Sequence, residues 1–251
     1  MNGQRVAVQL IIYGERTQTD LPGVLAEVES AGYDGFEGGG LDSTEDAGRV
    51  QAALEGRGVA YVGAHTSMKA LSDPEVAETL ARRLKSLGGE FLMVSGRAES
   101  LAEYRAAAKA LLAAGERCRD LGVTLCYHNH AWEMRETEGA LPLEVLAAET
   151  DPDIVKLCPD VYWIHVAGHQ PEEFLARYRT RCPCIHLKDG LSGEGPREFR
   201  ELGRGRLNLK PILQAALACS PAWLIVEQDS TKGEPVESIR ISRDYLRSLG
   251  V

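Results

Sequence analysis

No stretch of the 251-residue sequence approaches the roughly 18 consecutive apolar residues that a membrane-spanning helix needs. A membrane partner is therefore not expected. None of the six cysteines, Cys118, Cys126, Cys158, Cys182, Cys184 and Cys219, forms a C-x-x-C pair. The one close pair, Cys182-Pro183-Cys184, has a spacing that suits no common zinc knuckle. Scattered in a chain of this length, the thiols are expected to be reduced and mostly buried. Positive charge is in deficit, with 28 Lys and Arg against 37 Asp and Glu, a formal net charge of −9. Non-specific nucleic-acid affinity is mostly phosphate neutralisation, so an acidic surface disfavours that partner. The opening residues Met1 to Arg5 carry no apolar h-region and no small-residue cleavage site, which leaves a cytoplasmic protein as the expectation. Low-complexity runs, a Pro/Ser-rich linker and a glycine-rich first turn are all missing.

What is present is alternation. Short apolar runs rich in β-branched residues are expected as strands at Val6–Ile12, Tyr33–Glu37, Val59–His65, Phe91–Ser95, Val123–Asn129, Ile154–Cys158, Cys184–Leu187 and Trp223–Glu227. Helical patterns follow each one: Leu21–Ala31 with Asp20 as its cap and Pro22 in its first turn, Ser43–Arg57, Asp73–Leu87 with Ser72 as its cap, Leu101–Leu121, Leu141–Glu149, Pro171–Arg179, Leu209–Ala218 and Pro235–Leu249. Strand–helix alternation implies parallel sheet, and eight such units in one domain-sized chain imply a closed (β/α)8 TIM barrel spanning residues 1–251. A 44% hydrophobic fraction supplies enough apolar material for one large core. A doubly wound open sheet is the alternative. The longest irregular stretch, Asp189–Leu207, follows the seventh strand, on the face where barrel active sites sit.

Barrel enzymes carry their chemistry at the C-terminal ends of the strands. Those ends hold Glu37, His65, Tyr127-His128-Asn129-His130, Asp160, His186-Leu187-Lys188-Asp189 and Glu227-Gln228-Asp229. Four of the six histidines fall in this set. Carboxylates and imidazoles from four adjacent strands suit one divalent ion, among manganese, zinc, iron(II), cobalt and magnesium. With open coordination positions, such an ion is a Lewis acid for an oxygenated substrate. Each residue also has a plainer reading. His128 or His130 could be a hydrogen-bonded core histidine, Asp160 a turn cap, and His186 and Lys188 partners of nearby carboxylates. Glu227, after Leu224-Ile225-Val226, is a carboxylate at the end of an apolar strand and must find a partner or a cation. Gly203-Arg204-Gly205-Arg206 reads as a turn before the next helix, with anion contact by Arg204 or Arg206 as the alternative.

Several of these segments carry a resemblance. Gly122–His130, Ile185–Asp189, Glu201–Gly205, Ile225–Asp229, Val8-Gln9-Leu10 and Gly32–Glu37 resemble the corresponding segments of sugar phosphate isomerase/epimerase-type proteins of the xylose isomerase-like barrel superfamily. The resemblance spans nearly the whole chain. It implies one metal held by Glu, Asp, His and Glu from strands five to eight. Asp160, His186 and Glu227 match the last three, whereas the first position is His128, with His130 as its rival. The Tyr-His-x-His form is similar to the inosose dehydratase branch.

This departure bears on chemistry. The epimerases of the superfamily move a proton between faces with two glutamates. Histidine at the first position removes one of them, unless Glu133 substitutes as a second base; a surface role for Glu133 is the alternative. The resemblance implies a sugar, keto-sugar or cyclitol substrate. Proton abstraction α to a metal-bound carbonyl would begin the reaction, with Glu227 or His128 as base. Glu37, His65, Lys188 and Arg204 would line the pocket. Isomerisation or epimerisation is the first expectation and dehydration the second. A metal-dependent nuclease and a non-catalytic subunit are the remaining readings. A homodimer is the assembly expected of many barrels of this kind.

Overall fold

Parallel strands buried on both faces read as continuous apolar runs, and those of this chain close around a common axis. In the computed structural model, which describes residues 3–38, 41, 43–191 and 198–251, the strands are β1 (Val6–Gln9), β2 (Gly35–Glu37), β3 (Ala60–Ser67), β4 (Phe91–Ser95), β5 (Thr124–His128), β6 (Val155–Cys158), β7 (Cys184–Leu187), β8 (Asp189–Leu191), β9 (Glu198–Arg200) and β10 (Trp223–Val226). Eight of them form one sheet in the order β6-β5-β4-β3-β2-β1-β10-β7, all parallel. Between its ends, β6 and β7, there is no ladder among the described residues. The seam is joined by a single parallel bridge, Asp160 to His186, and the His186 N–H donates to the Pro159 carbonyl at 2.9 Å. Pro159 has no N–H of its own to extend the pairing.

The helices are α1 (Arg16–Thr19), α2 (Leu21–Ser30), α3 (Thr44–Leu54), α4 (Pro74–Ser86), α5 (Leu101–Asp120), α6 (Pro142–Ala148), α7 (Val161–Val166), α8 (Pro171–Arg177), α9 (Leu209–Ala218) and α10 (Pro235–Ser248). The expected (β/α)8 barrel is the fold observed. Strand alternation divides the core in two. Outward residues such as Val6, Val8, Leu125, Tyr127 and Ile185 pack against the helices. Inward residues Ala7, Val62, Phe91, Met93, Cys126, Cys158, Cys184, Trp223 and Ile225 fill the barrel. Both sets are buried, which is why the strands carry little polar alternation until their C-terminal ends. Among the described residues, no helix is long and apolar enough to cross a membrane.

Several local expectations are corrected. β1 ends at Gln9, because Leu10–Tyr13 turns into a 3-10 helix whose first turn the Gln9 side chain caps through the Ile11 N–H. Asp73, not Ser72, caps α4: its carboxylate accepts the Glu75 N–H at 3.0 Å, with Pro74 preset at the first helical position. The stretch after β7 is partly ordered. β8 and β9 pair antiparallel as a small arm; residues 192–197 of that stretch lie outside the described residues. Helix α7 was not expected at all. It is a short apolar run, without helical periodicity, that begins where Asp160 caps it.

Candidate metal centre

His128, Asp160, His186 and Glu227 come from β5, the end of β6, β7 and the end of β10, the neighbouring strands on either side of the seam. Each points inward, two positions beyond an inward core residue: Cys126, Cys158, Cys184 and Ile225 respectively. One donor atom from each lies within 4.8 Å of the others, and all four side chains are buried. Ligands about 2.2 Å from one ion stand no more than about 4.4 Å apart, so the set is close to the size of a coordination shell.

The local structure explains why Asp160 faces inward. Its Oδ1 accepts the N–H groups of Tyr162 at 2.9 Å and Trp163 at 3.1 Å, starting α7. Asn129 holds its backbone, accepting the Asp160 N–H at 3.1 Å and donating to its carbonyl at 3.4 Å. The capping reading and the ligand reading are thus compatible. One carboxylate oxygen caps the helix, and Oδ2 is left buried with no hydrogen bond, its nearest cation being Lys188 Nζ at 3.9 Å. Burial pushes the Asp160 carboxyl up, against the pull of Lys188.

His186 lies between two carboxylates, with Nε2 at 2.7 Å from Glu37 and Nδ1 against Glu227. Burial opposes its charge, but the two carboxylates hold it well above the ordinary imidazole range. Burial opposes the Glu37 charge too; the His186 charge and the hydrogen bonds from His186 and His65 outweigh it and bring the carboxyl down to about 2. Glu227 is likewise lowered: burial is overcome by Lys188 and His186. Burial and the adjacent His186 charge drive His128 well below its usual value, so its ring is neutral, and its Nδ1 is buried without a hydrogen bond. A neutral imidazole and a bare carboxylate oxygen, both desolvated and both aimed into a cluster with another imidazole and carboxylate, fit a divalent cation.

The remaining residues singled out in the sequence are placed as follows. Lys188 is 1% exposed, bonds Glu227 Oε1 at 3.2 Å and Asp229, and sits between the rings of Trp163 and Phe199 at 4.8 and 4.7 Å. His65 stands over Glu37, with Nδ1 at 3.4 Å from its carboxylate. Glu37 is fully buried behind His186, so it orients that ring and does not line an open pocket. His130 is half-buried and outside the four-donor cluster; its ring stacks on Trp132 at 4.1 Å. Glu133 is also outside the cluster. It is fully buried, accepts the His130 N–H at 2.8 Å and lies 2.9 Å from the Tyr127 hydroxyl, which rules out the surface role. Arg204 is exposed and faces Glu201 at 3.9 Å. The surrounding loop is a turn organised by Asp189, whose carboxylate accepts the N–H groups of Gly190, Gly203, Gly205 and Leu207. Asp229 was named from the sequence only as part of a strand end, without a role; Trp163 and Phe199 were not singled out. Trp163 had the one readable signal, an aromatic three residues beyond a strand-end aspartate.

The model of the family described as "Xylose isomerase-like TIM barrel" matches residues 25–249. Inosose dehydratase of Geobacillus kaustophilus (strain HTA426) is 26% identical over 90% of this chain and 86% of the relative. Inosose dehydratase of Lacticaseibacillus casei is 28% identical over 57% of this chain; there the chain spans about half of the relative's length, 54%. Among solved structures, a sugar phosphate isomerase/epimerase of Parabacteroides distasonis ATCC 8503 superposes with a TM-score of 0.83 at 20% identity, over 99% of this chain and 95% of that one. The IOLI protein with a binding zinc atom superposes with a TM-score of 0.76 at 13% identity, over 98% of each chain.

Proposed function

The chain belongs to the xylose isomerase-like TIM barrel family, and from that premise we propose that it is a divalent-metal-dependent enzyme removing a proton α to the carbonyl of a keto-sugar or ketocyclitol. His128, Asp160, His186 and Glu227 hold the ion. When bound, the ion supplies Lewis acidity to the substrate carbonyl and an adjacent hydroxyl. The zinc atom in a fold neighbour supports this reading of the donor set.

The observation that carries the proposal is the pair of desolvated donors without a hydrogen bond, His128 Nδ1 and Asp160 Oδ2, on two residues of the four-donor cluster beside the seam. Glu227 is the base. Lys188 keeps it ionised and pinned, and an ionised carboxylate in a dry site is the form that takes a proton. Glu37 accepts the His186 Nε2–H and fixes the ring's tautomer and orientation, as outer-shell carboxylates do for metal-bound histidines. Rings of Trp163, Phe199 and Trp132 near the site suit the apolar faces of a sugar or cyclitol ring.

Isomerisation or epimerisation is the first expectation from the sequence; the side chains favour dehydration. Epimerisation needs a second proton-moving group on the opposite face. Here the fifth-strand position is a neutral imidazole, and Glu133 is turned toward Tyr127 and the His130 backbone. With one carboxylate base, α-proton loss to Glu227 is followed by expulsion of the β-hydroxyl. The electron pair of the C–H bond becomes the new C=C bond, and the hydroxyl leaves as water after taking a proton from His65 or His130. Their rings flank His128 with centroids at 5.0 and 5.1 Å. The dehydratase relatives support the same outcome. The test is incubation of the metal-loaded protein with keto-sugars and inososes in deuterated water. An unsaturated ketone or its dicarbonyl tautomer as product, with solvent deuterium at the α carbon of recovered substrate, supports dehydration. Exchange with an isomeric product instead assigns isomerisation. No exchange on any substrate, with stoichiometric metal bound, sinks the enzyme reading.

A further inference from the structure

Each of three candidate ligands follows a cysteine by two residues on the same strand face: Cys126 before His128, Cys158 before Asp160 and Cys184 before His186. Period-two alternation therefore lays a tier of thiols directly beneath the candidate centre. Only one of them comes within reach of it. Cys158 Sγ, His128 and His186 form a second set of donor atoms within 4.8 Å of one another, and this set shares both imidazoles with the carboxylate set. All three side chains are buried. Cys126 and Cys184 belong to neither set among the described residues.

We propose that Cys158 is a ligand of the bound ion, its thiolate joining the His128 and His186 imidazoles that the two donor sets share. This rests on the metal reading given above and specifies which ion that site accepts. A sulfur donor beside two imidazoles selects zinc, cobalt(II) or iron(II) over magnesium and manganese, which prefer an all-oxygen shell. Forming the metal–sulfur bond breaks the Cys158 S–H bond, and the proton is released to solvent. Packing alone does not call for a thiol at this position. Cys158 lies in the barrel interior beneath Asp160, where an aliphatic side chain of similar size would fill the same space.

The experiment is X-ray absorption of the full chain loaded with zinc alone, with cobalt(II) optical spectra in parallel. The expected result is a zinc–sulfur shell at about 2.3 Å beside nitrogen and oxygen at about 2.0–2.2 Å. The cobalt(II) protein is expected to show a sulfur-to-metal charge-transfer band in the near ultraviolet. Both signals disappear in Cys158→Ser and persist in Cys126→Ser. The preference for zinc over magnesium in Cys158→Ser falls on the order of tenfold to a hundredfold. A purely nitrogen–oxygen shell in the wild-type protein at full occupancy overturns the thiolate ligand and leaves the metal reading standing. A sulfur shell that survives Cys158→Ser also overturns it. Failure of the wild-type protein to bind any divalent ion overturns both. If Cys158→Ser does not fold, Cys158→Ala takes its place, and a wild-type shell without sulfur overturns the proposal by itself.

Discussion

Single side chains at the centre make separable predictions. Asp160→Ala and His186→Ala each remove a donor and are expected to abolish tight metal binding; full occupancy of both variants by elemental analysis would show the site is drawn wrongly. His128→Ala is expected to weaken binding by more than the roughly 10- to 100-fold typical of outer-shell partners, and His130→Ala to leave it nearly unchanged. The reverse ranking would move the fifth-strand ligand to His130. This choice was not readable from the sequence, because strand alternation puts both histidines on one side. It is set by where β5 ends: His128 is its last residue, and His130 lies beyond it, stacked on Trp132. Glu133 makes a pH prediction. The Tyr127 hydroxyl has one proton and two acceptors, Gly96 O at 3.0 Å and Glu133 Oε1 at 2.9 Å. If it donates to Gly96, Glu133 is best protonated. Burial raises that carboxyl from 4.5 to about 7, against the hydrogen bonds that favour its charge. The folded state therefore holds a proton that the unfolded chain has released between these values, and stability falls as pH rises through them. The loss amounts to about 3 kcal/mol once pH exceeds the folded value. Glu133→Gln mimics the protonated form, so its denaturant midpoint is expected to be flatter with pH. An unchanged slope would place the effect elsewhere.

At the level of elements, the strands and most helices were legible because their signals are local. Apolar β-branched runs and Asp20 before Leu21-Pro22 each announce a boundary without reference to the rest of the chain. What was not legible depends on residues distant in sequence. Helix α7 exists because Asp160, held by Asn129 from the neighbouring strand, caps it. The turn at Gly203–Gly205 was legible as a turn, but not what organises it: Asp189, 14 positions before Gly203, gathers its N–H groups. This gives the glycines a physical reason that anion binding by Arg204 does not. Gly203 has φ +81°, and a Cβ on Gly205 would stand 1.9 Å from Asp189 Oδ1. Gly205→Ala and Asp189→Ala are both expected to loosen this turn, each lowering stability by about 1–3 kcal/mol, the cost of stranding buried N–H groups or displacing their acceptor. Arg204→Ala is expected to leave stability within about 0.5 kcal/mol, since its ion pair is exposed. Equal losses for Arg204→Ala and Gly205→Ala, measured by thermal unfolding, would contradict this account of the loop.

For the whole molecule, the position of the centre matters as much as its composition. Seven of the eight strand junctions in the barrel are ladders; the eighth, β6 to β7, is one bridge between Asp160 and His186. Two of the four candidate ligands are thus the two residues of the only bridge across the seam among the described residues. An ion held by both sides would close in side-chain bonds what the backbone leaves nearly open. Binding to the folded state alone stabilises it by about 2.7 kcal/mol at a hundredfold excess over Kd. For a chain of this length that corresponds to a rise in Tm of roughly 5–10 °C. The gain should be unevenly distributed. Backbone amides at the seam, above all the His186 N–H that reaches the Pro159 carbonyl, should gain the most protection from hydrogen exchange on metal addition. Amides of β3 and β4, paired over Gly63–Ser67 and Phe91–Ser95 far from the seam, should gain only what the global stability adds. Uniform protection across the barrel would mean that the ion stabilises the fold without closing the seam. Unchanged Tm on adding zinc to chelator-treated protein would mean that these residues do not hold an ion at all.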